Sequence, residues 1–128
     1  MTFNIDIVAA ATENSFFRKV VSTGPNAQVV LMSIPPNGEI GEEVHEDVDQ
    51  VLAFVAGEGV AVLEGEESPV GRDRLVHVPA GMRHNIVNRG SVDLRLYTIY
   101  APPEHAPDTI HRTRAEADAA EADTAVST

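Results

Sequence analysis

Short apolar runs separated by turn-forming residues are the feature of this chain that most limits its fold. Runs rich in Val, Ile, Leu and Tyr recur along the sequence, and Gly, Pro and Asn separate them. Proline cannot donate a hydrogen bond to a β-ladder, and Asn-Gly pairs favour turns. Short strands at this regular spacing indicate an all-β sandwich or closed barrel rather than alternating βαβ units.

The apolar runs predict strands whose lengths suit such a barrel or sandwich. They cover residues 3–7, 16–21, 28–34, 50–56, 59–64, 75–79, 84–87 and 92–100. Residues 50–56 and 59–64 are expected to pair as a hairpin around Gly57-Glu58. The first run alternates apolar and polar residues, which favours an edge strand that can be exchanged between the two subunits of a homodimer.

Composition limits the partners that the chain can have. The 128 residues fit one domain, and 20 acidic against 9 basic side chains give a net charge of −11, which repels nucleic acid. The absence of cysteine excludes disulfides, thiolate metal sites and cysteine nucleophiles. The N-terminus lacks the basic region of a signal peptide, and no apolar run is long enough to cross a bilayer. We therefore expect a cytoplasmic protein that binds neither nucleic acid nor membranes.

Much of the acidic surplus lies in one stretch, residues 39–49, which also contains His45. Glu43 and His45 are two residues apart, so on a strand their side chains face the same side. Gln50 heads the next strand and His84 begins a later one. Two imidazole nitrogens and two oxygens from three strands can then converge inside a barrel, a set that suits Mn, Fe, Co, Ni or Zn better than Ca or Mg. A solvated acidic loop, and a structural role for His84 at a turn, are the alternatives.

Two further side chains are candidates for catalysis. His77 lies in the middle of a predicted strand, where it is either a packed or surface histidine or an acid–base group of a pocket. Tyr100 shares a strand face with Leu94 and Leu96. We expect that face to be the inner one, where Tyr100 either fills the core or lines a pocket. Both side chains are therefore taken, together with Glu43, as candidate catalytic residues.

Two segments resemble the motifs of the cupin superfamily, whose members are small double-sheet jelly-roll barrels. In this chain the segments read Glu43-x-His45-x4-Gln50-x6-Gly57 and Pro79-x-Gly81-x2-His84-x3-Asn88. In the family's first motif two histidines and a glutamate hold the ligand positions, so Glu43 stands for the first histidine and Gln50 for the glutamate. Because Glu43 replaces a histidine while Gln50 replaces the glutamate, the ligand positions still include one carboxylate.

The resemblance implies an all-β, double-stranded β-helix barrel of the cupin type over residues 26–103. Residues 1–25 then supply N-terminal strands. Residues 104–128 supply a strap, a short helix that begins at a capping box of Thr113 and Glu116, and a disordered tail.

By resemblance, the metal shell consists of Glu43, His45, Gln50 and His84 around a divalent transition metal. The implied function is a metal-dependent enzyme of isomerase, dioxygenase or lyase type that acts on a small polar metabolite, with the metal as Lewis acid and Glu43 as a base. Small cupins of this kind are often described as mannose-6-phosphate-isomerase-like or RmlC-like, which identifies the fold rather than the reaction. The alternative is a non-catalytic cupin that binds or senses a small ligand and whose metal is structural.

Overall fold

The computed structural model describes residues 3–127, with side chains over residues 3–121. These residues form two helices and nine strands. In chain order they are α1 (Ile7–Glu13), β1 (Arg18–Thr23), β2 (Gln28–Ile34), β3 (Asp49–Ala56), β4 (Glu58–Leu63), β5 (Glu66–Gly71), β6 (Leu75–Val78), β7 (His84–Asn88), β8 (Leu94–Ala101), β9 (Ile110–His111) and α2 (Arg114–Ser127). Within the described residues, neither helix has the length and apolar character needed to cross a bilayer.

The strands form two antiparallel sheets. The larger sheet has the strand order β6-β3-β8-β2-β1-β9, and the smaller has the order β5-β4-β7. Isolated bridges from Glu39 to Val87 and from Glu43 to His84 add the acidic segment to the free side of β7. Hydrogen bonding between the described strands does not close the two sheets into one continuous barrel, and the arrangement is that of a jelly roll. The predicted all-β class is confirmed.

The two sheets share one core because their strands alternate between buried and solvent-facing positions. In β8 every second residue from Leu94 to Tyr100 is buried, and Leu52 and Phe54 of β3 are buried beside them. Ile86 of β7 and Ala61 of β4 add the opposite wall to the same cluster. Each fully buried Leu or Ile side chain contributes about 1.5–3 kcal/mol to folding, so this alternation fixes which face of each strand points inward.

The predicted edge strand at residues 3–7 is wrong. Residues 3–6 form no strand, and α1 begins at Ile7. Asp6 caps the helix, since its side chain accepts a hydrogen bond from the backbone of Ala9 at 3.0 Å. Ala11 is fully buried where α1 packs against the larger sheet. The helix-forming alanines and the capping aspartate therefore outweigh the short alternation of apolar and polar residues before them. As a result, the N-terminal segment contributes the single strand β1 rather than several strands.

The predicted hairpin between residues 50–56 and 59–64 is also wrong. β3 pairs with β6 and β8, whereas β4 pairs with β5 and β7 in the other sheet. The chain crosses between sheets at Gly57, whose φ of +87° brings the backbone against the carbonyl of Asp93. The actual hairpin joins β4 to β5 through Glu64-Gly65, both with positive φ.

Two strands were missed, and the others begin or end within two residues of their predicted bounds. β5 is polar and contains Pro69, which an edge strand tolerates, and β9 has only two residues. One half of the predicted capping box is present, because Glu116 N donates to Thr113 Oγ1 at 3.2 Å, whereas the Glu116 carboxylate accepts from Arg112 N at 3.1 Å instead of from Thr113 N. The tail expected to be disordered, residues 123–128, lies outside the residues whose side chains are described, and the backbone of α2 is helical to Ser127.

The crossing at Gly57 predicts a specific loss of stability. Gly57→Ala should lower the free energy of unfolding by about 1–3 kcal/mol more than Gly65→Ala, measured by chemical denaturation. Both glycines have left-handed backbones, with φ of +87° and +83°, so both variants carry similar conformational strain. A Cβ at Gly57 would lie 2.5 Å from the Asp93 carbonyl oxygen, whereas none of the neighbouring atoms would lie within 4 Å of one at Gly65. Equal losses in the two variants would contradict this role of Gly57.

Candidate metal centre

Backbone pairing brings the acidic segment and β7 together at the proposed centre. Glu43 N donates to His84 O at 2.8 Å, and His84 N donates to Glu43 O at 2.9 Å. His45 is fixed two residues later, since its carbonyl accepts from Gly81 N at 2.8 Å. Ligand atoms of Glu43, His45 and His84 then lie within 4.8 Å of one another. The three residues form a possible metal site.

The ring of His84 is oriented by its own chain. Its Nδ1 lies 3.0 Å from the carbonyl oxygen of Met82. A carbonyl can only accept, so Nδ1 carries the proton and Nε2 holds a lone pair. That Nε2 is buried and has no hydrogen-bond partner among the described residues. Burial lowers the pKa of His84, which favours the neutral ring that a metal requires.

The ring of His45 is oriented by a carboxylate. Its Nδ1 lies 3.4 Å from Oε1 of Glu104, and its Nε2 lies 3.7 Å from Oε2 of Glu43. Nε2 is again buried without a hydrogen-bond partner in the described part of the chain. A carboxylate on the far nitrogen of a metal-binding imidazole fixes its tautomer and increases its basicity. The hydrogen bond with Glu104 accordingly raises the pKa of His45, against the opposing effect of burial.

The amide of Gln50 is oriented by a two-step hydrogen-bond relay. Thr98 donates its hydroxyl proton to Val51 O at 2.9 Å, so its oxygen can only accept from the amide nitrogen of Gln50 at 3.0 Å. Oε1 of Gln50 is left buried and unpartnered within the described residues. Gln50 pairs across the sheet with Tyr100, whose ring lies 5.9 Å from that of His45. The unpartnered Oε1 of Gln50 therefore lies on the inner face of the larger sheet, on the same side as the rings of His45 and His84.

The donor set fits a divalent transition metal. A buried polar atom without a partner costs about 1–3 kcal/mol, and this interior holds such atoms on His45, His84 and Gln50 beside the carboxylate of Glu43. Two imidazole nitrogens with carboxylate and amide oxygens suit Mn, Fe, Co, Ni or Zn. Burial raises the pKa of Glu43, while the neighbouring His45 opposes that rise.

Sequence reasoning missed two residues that position the centre, Gln28 on β2 and Glu104 on the strap that follows β8. Gln28, fully buried on β2, donates to His105 O at 2.7 Å and accepts from His105 N at 3.0 Å and Glu104 N at 3.3 Å. This clamp holds Glu104 against His45. Neither Gln28 nor Glu104 belongs to the cupin motifs, and the only sequence signal was the proline-rich segment that predicted a strap. His105 is stacked edge-on against Tyr100, and burial lowers its pKa to about 3, so the ring is neutral.

The two other candidate catalytic residues lie in different surroundings. His77 is opposite Val51 on the outer face of the larger sheet, half exposed, with Nε2 3.2 Å from Asp49 Oδ2. A role for His77 in the pocket is therefore corrected to that of a surface residue in contact with Asp49. Tyr100 is buried on the inner face, as expected, and burial raises its pKa, so it keeps its proton.

A cleft of about 710 Å³ opens beside the centre, between the acidic segment and the C-terminal segment. Its walls include Glu43, His45, Glu104, His105, His111 and Glu121. A small polar molecule can reach Glu43 and His45 from this cleft.

Known proteins share this architecture. The family model described as a cupin domain matches residues 30–100. Protein YrkC of Bacillus subtilis (strain 168) is 40% identical over 125 residues, which are 93% of this chain and 67% of YrkC. The crystal structure of BH2720 from Bacillus halodurans has a TM-score of 0.91 at 37% identity, over 93% of this chain and 95% of that one. The oxalate-binding protein of Thermotoga maritima is 28% identical over 68 residues, 53% of this chain and 56% of that protein. The chain therefore belongs to the cupin family.

Proposed function

We propose that the chain is a metal-dependent cupin enzyme that acts on a small polar metabolite, with a divalent transition metal held by Glu43, His45, Gln50 and His84. One observation carries the proposal. Among the described residues, three buried ligand atoms without hydrogen-bond partners, on His45, Gln50 and His84, accompany the carboxylate of Glu43, and Glu43 and His45 line an open cleft.

The residues of the chain have separate tasks in this proposal. A divalent metal, when bound, supplies Lewis acidity toward carbonyl or hydroxyl oxygens of the substrate. Glu104 holds the ring of His45, and the Met82 carbonyl holds that of His84. A carboxylate oxygen of Glu43 accepts a proton from the substrate, because a carboxylate can alternate between a metal and a proton.

The class of substrate is inferred from the surroundings of the cleft and from one relative. The oxalate-binding protein of Thermotoga maritima, which matches about half of this chain, is named for a small oxygen-rich acid. A polar cleft whose histidine rings can donate hydrogen bonds suits a ligand of the same chemistry. Isomerase, dioxygenase and lyase reactions are all compatible with this centre, and a cytoplasmic homodimer remains a prediction.

The second candidate function is a cupin that binds or senses a small ligand without turnover and whose metal is structural. The same relative supports it, because its name refers to binding rather than to a reaction. Within the described centre, the groups that could transfer a proton are themselves proposed metal ligands. An enzyme would benefit from a separate acid–base residue, whereas a binding protein does not need one.

Metal uptake tests the centre directly. We expect purified protein to bind about one equivalent of a divalent transition metal, and His84→Ala to lower its affinity at least tenfold, measured by calorimetry with Mn, Fe, Co, Ni and Zn. His77→Ala is the matched control, since that imidazole lies on the outer face of the sheet. The absence of uptake by the unaltered protein, or equal losses in the two variants, would contradict the proposed centre.

Metal removal separates the enzyme from the binding protein. If the metal is catalytic, chelation should abolish turnover in a screen of small organic acids and sugars. The free energy of unfolding should then fall only by the binding contribution, about 2.7 kcal/mol when the metal concentration is a hundred times Kd. A collapse of the fold on chelation, with no metal-dependent turnover, would favour the structural metal.

The carboxylate of Glu104 is expected to act through His45. Glu104→Gln should lower metal affinity about 10- to 100-fold and leave the stoichiometry unchanged, because the imidazole loses its orienting charge. Glu67→Gln removes the same charge from β5, where Glu67 pairs with Arg89 on the surface, and should leave the affinity unchanged. Unaltered affinity in Glu104→Gln would show that the 3.4 Å contact does not orient His45.

A further inference from the structure

Arg18 is a buried cation for which the described chain provides no counter-ion. It is 2% exposed, because the alternation of β1 turns Arg18 and Val20 inward. None of the described carboxylates lies within ion-pair distance of its guanidinium, and its Nε is buried without a hydrogen-bond partner. Its polar contact is with Nδ1 of His111, at 3.3 Å, and its guanidinium also lies over the ring of Phe17.

A guanidinium in this setting is suited to an anion from outside the chain. Burial of a charge is unfavourable unless the charge is paired and hydrogen-bonded. Arginine has five N–H donors in a planar fork that matches a carboxylate in a bidentate way. Among the described residues, the acceptor in contact with Arg18 is the imidazole of His111, whose pKa is lowered by burial and which satisfies a single donor.

Arg18 adjoins the cleft of the metal centre through His111. The two residues are directly opposite each other in the β1–β9 pair, and His111 lines the cleft together with Glu43 and His45. Because Nδ1 of His111 accepts from Arg18, its Nε2 carries the proton and is a second donor at this end of the cleft. Burial raises the pKa of Glu43 and of Tyr100, and the charge of Arg18 opposes that rise at both groups, so the guanidinium is within electrostatic range of the centre.

We propose that Arg18 and His111 form the carboxylate-binding end of the substrate site, so that the substrate is a small organic acid. Its carboxylate enters the cleft beside His111 and pairs with the guanidinium of Arg18, while its remaining oxygens face Glu43, His45 and His84. This inference rests on the proposed function, because it assigns a substrate class to the same cleft. A singly charged carboxylate suits the cleft better than phosphate, since Glu43, Glu104 and Glu121 repel a dianion.

Binding of oxamate and oxamide tests the assignment, since the two molecules are nearly isosteric and only oxamate carries a carboxylate. By calorimetry on metal-free and metal-loaded protein, oxamate should bind at least tenfold more tightly than oxamide. Arg18→Gln should lower oxamate affinity at least tenfold in both forms without weakening binding of the metal alone, because the substitution removes a positive charge near the centre. Arg72→Gln is the matched control, because Arg72 is exposed and pairs with its neighbour Asp73.

The outcomes separate this inference from the proposed function. If the metal binds but Arg18→Gln retains full oxamate affinity, the carboxylate site is wrong and the metal centre stands. If no metal binds, the metal centre fails, whereas charge-dependent oxamate binding by metal-free protein still supports Arg18. Tighter binding of inorganic phosphate than of oxamate would overturn the carboxylate class. If Arg18→Gln does not fold, Arg18→Lys replaces it in the test. Because lysine lacks the planar guanidinium, Arg18→Lys should lower the affinity for oxamate several-fold. Unchanged affinity for oxamate would overturn the proposal.

Discussion

The candidate site depends on one pair of backbone hydrogen bonds, between Glu43 and His84. They attach an otherwise irregular acidic segment to β7 and bring both side chains to the same interior. The smaller sheet has only three named strands, and this segment extends it beside β7, where the proposed metal ligands lie. The buried histidines and the cleft wall formed by the acidic segment follow from that attachment. Because the pairing uses main-chain groups, the side chain of Glu43 is left available for chemistry.

The fold and most of the site could be predicted from the sequence because two local signals are strong. An apolar run bounded by turn residues identified β2 at its observed bounds, and spacing brought Glu43, His45 and His84 together. The errors occurred where local pattern and tertiary context disagree. Residues 3–7 alternate like a strand, yet the alanines after the Asp6 cap form a helix. β3 and β4 are adjacent along the chain, yet Gly57 directs them into different sheets.

The residues that the sequence did not reveal are those that act across long chain separations. Glu104 is 59 residues from His45 along the chain and contacts it only because Gln28, on another strand, holds the strap. Arg18 gave no signal either, since an arginine on an amphipathic strand is normally exposed. No spacing rule connects Arg18 to β9, and its burial depends on the strands and strap that surround it. Such residues can be identified only when hydrogen-bond partners and burial are known.

The cleft is built from two parts of the chain that serve different purposes. The proposed metal ligands lie on the acidic segment, β3 and β7, whereas His111 and Glu121 belong to the segment that follows the barrel. Changes in β9 or α2 can therefore alter which molecule fits without moving a ligand atom of Glu43, His45 or His84. This separation makes the C-terminal segment the natural place to redesign ligand choice. A library restricted to residues 106–121 would vary specificity while the metal-binding chemistry is kept constant.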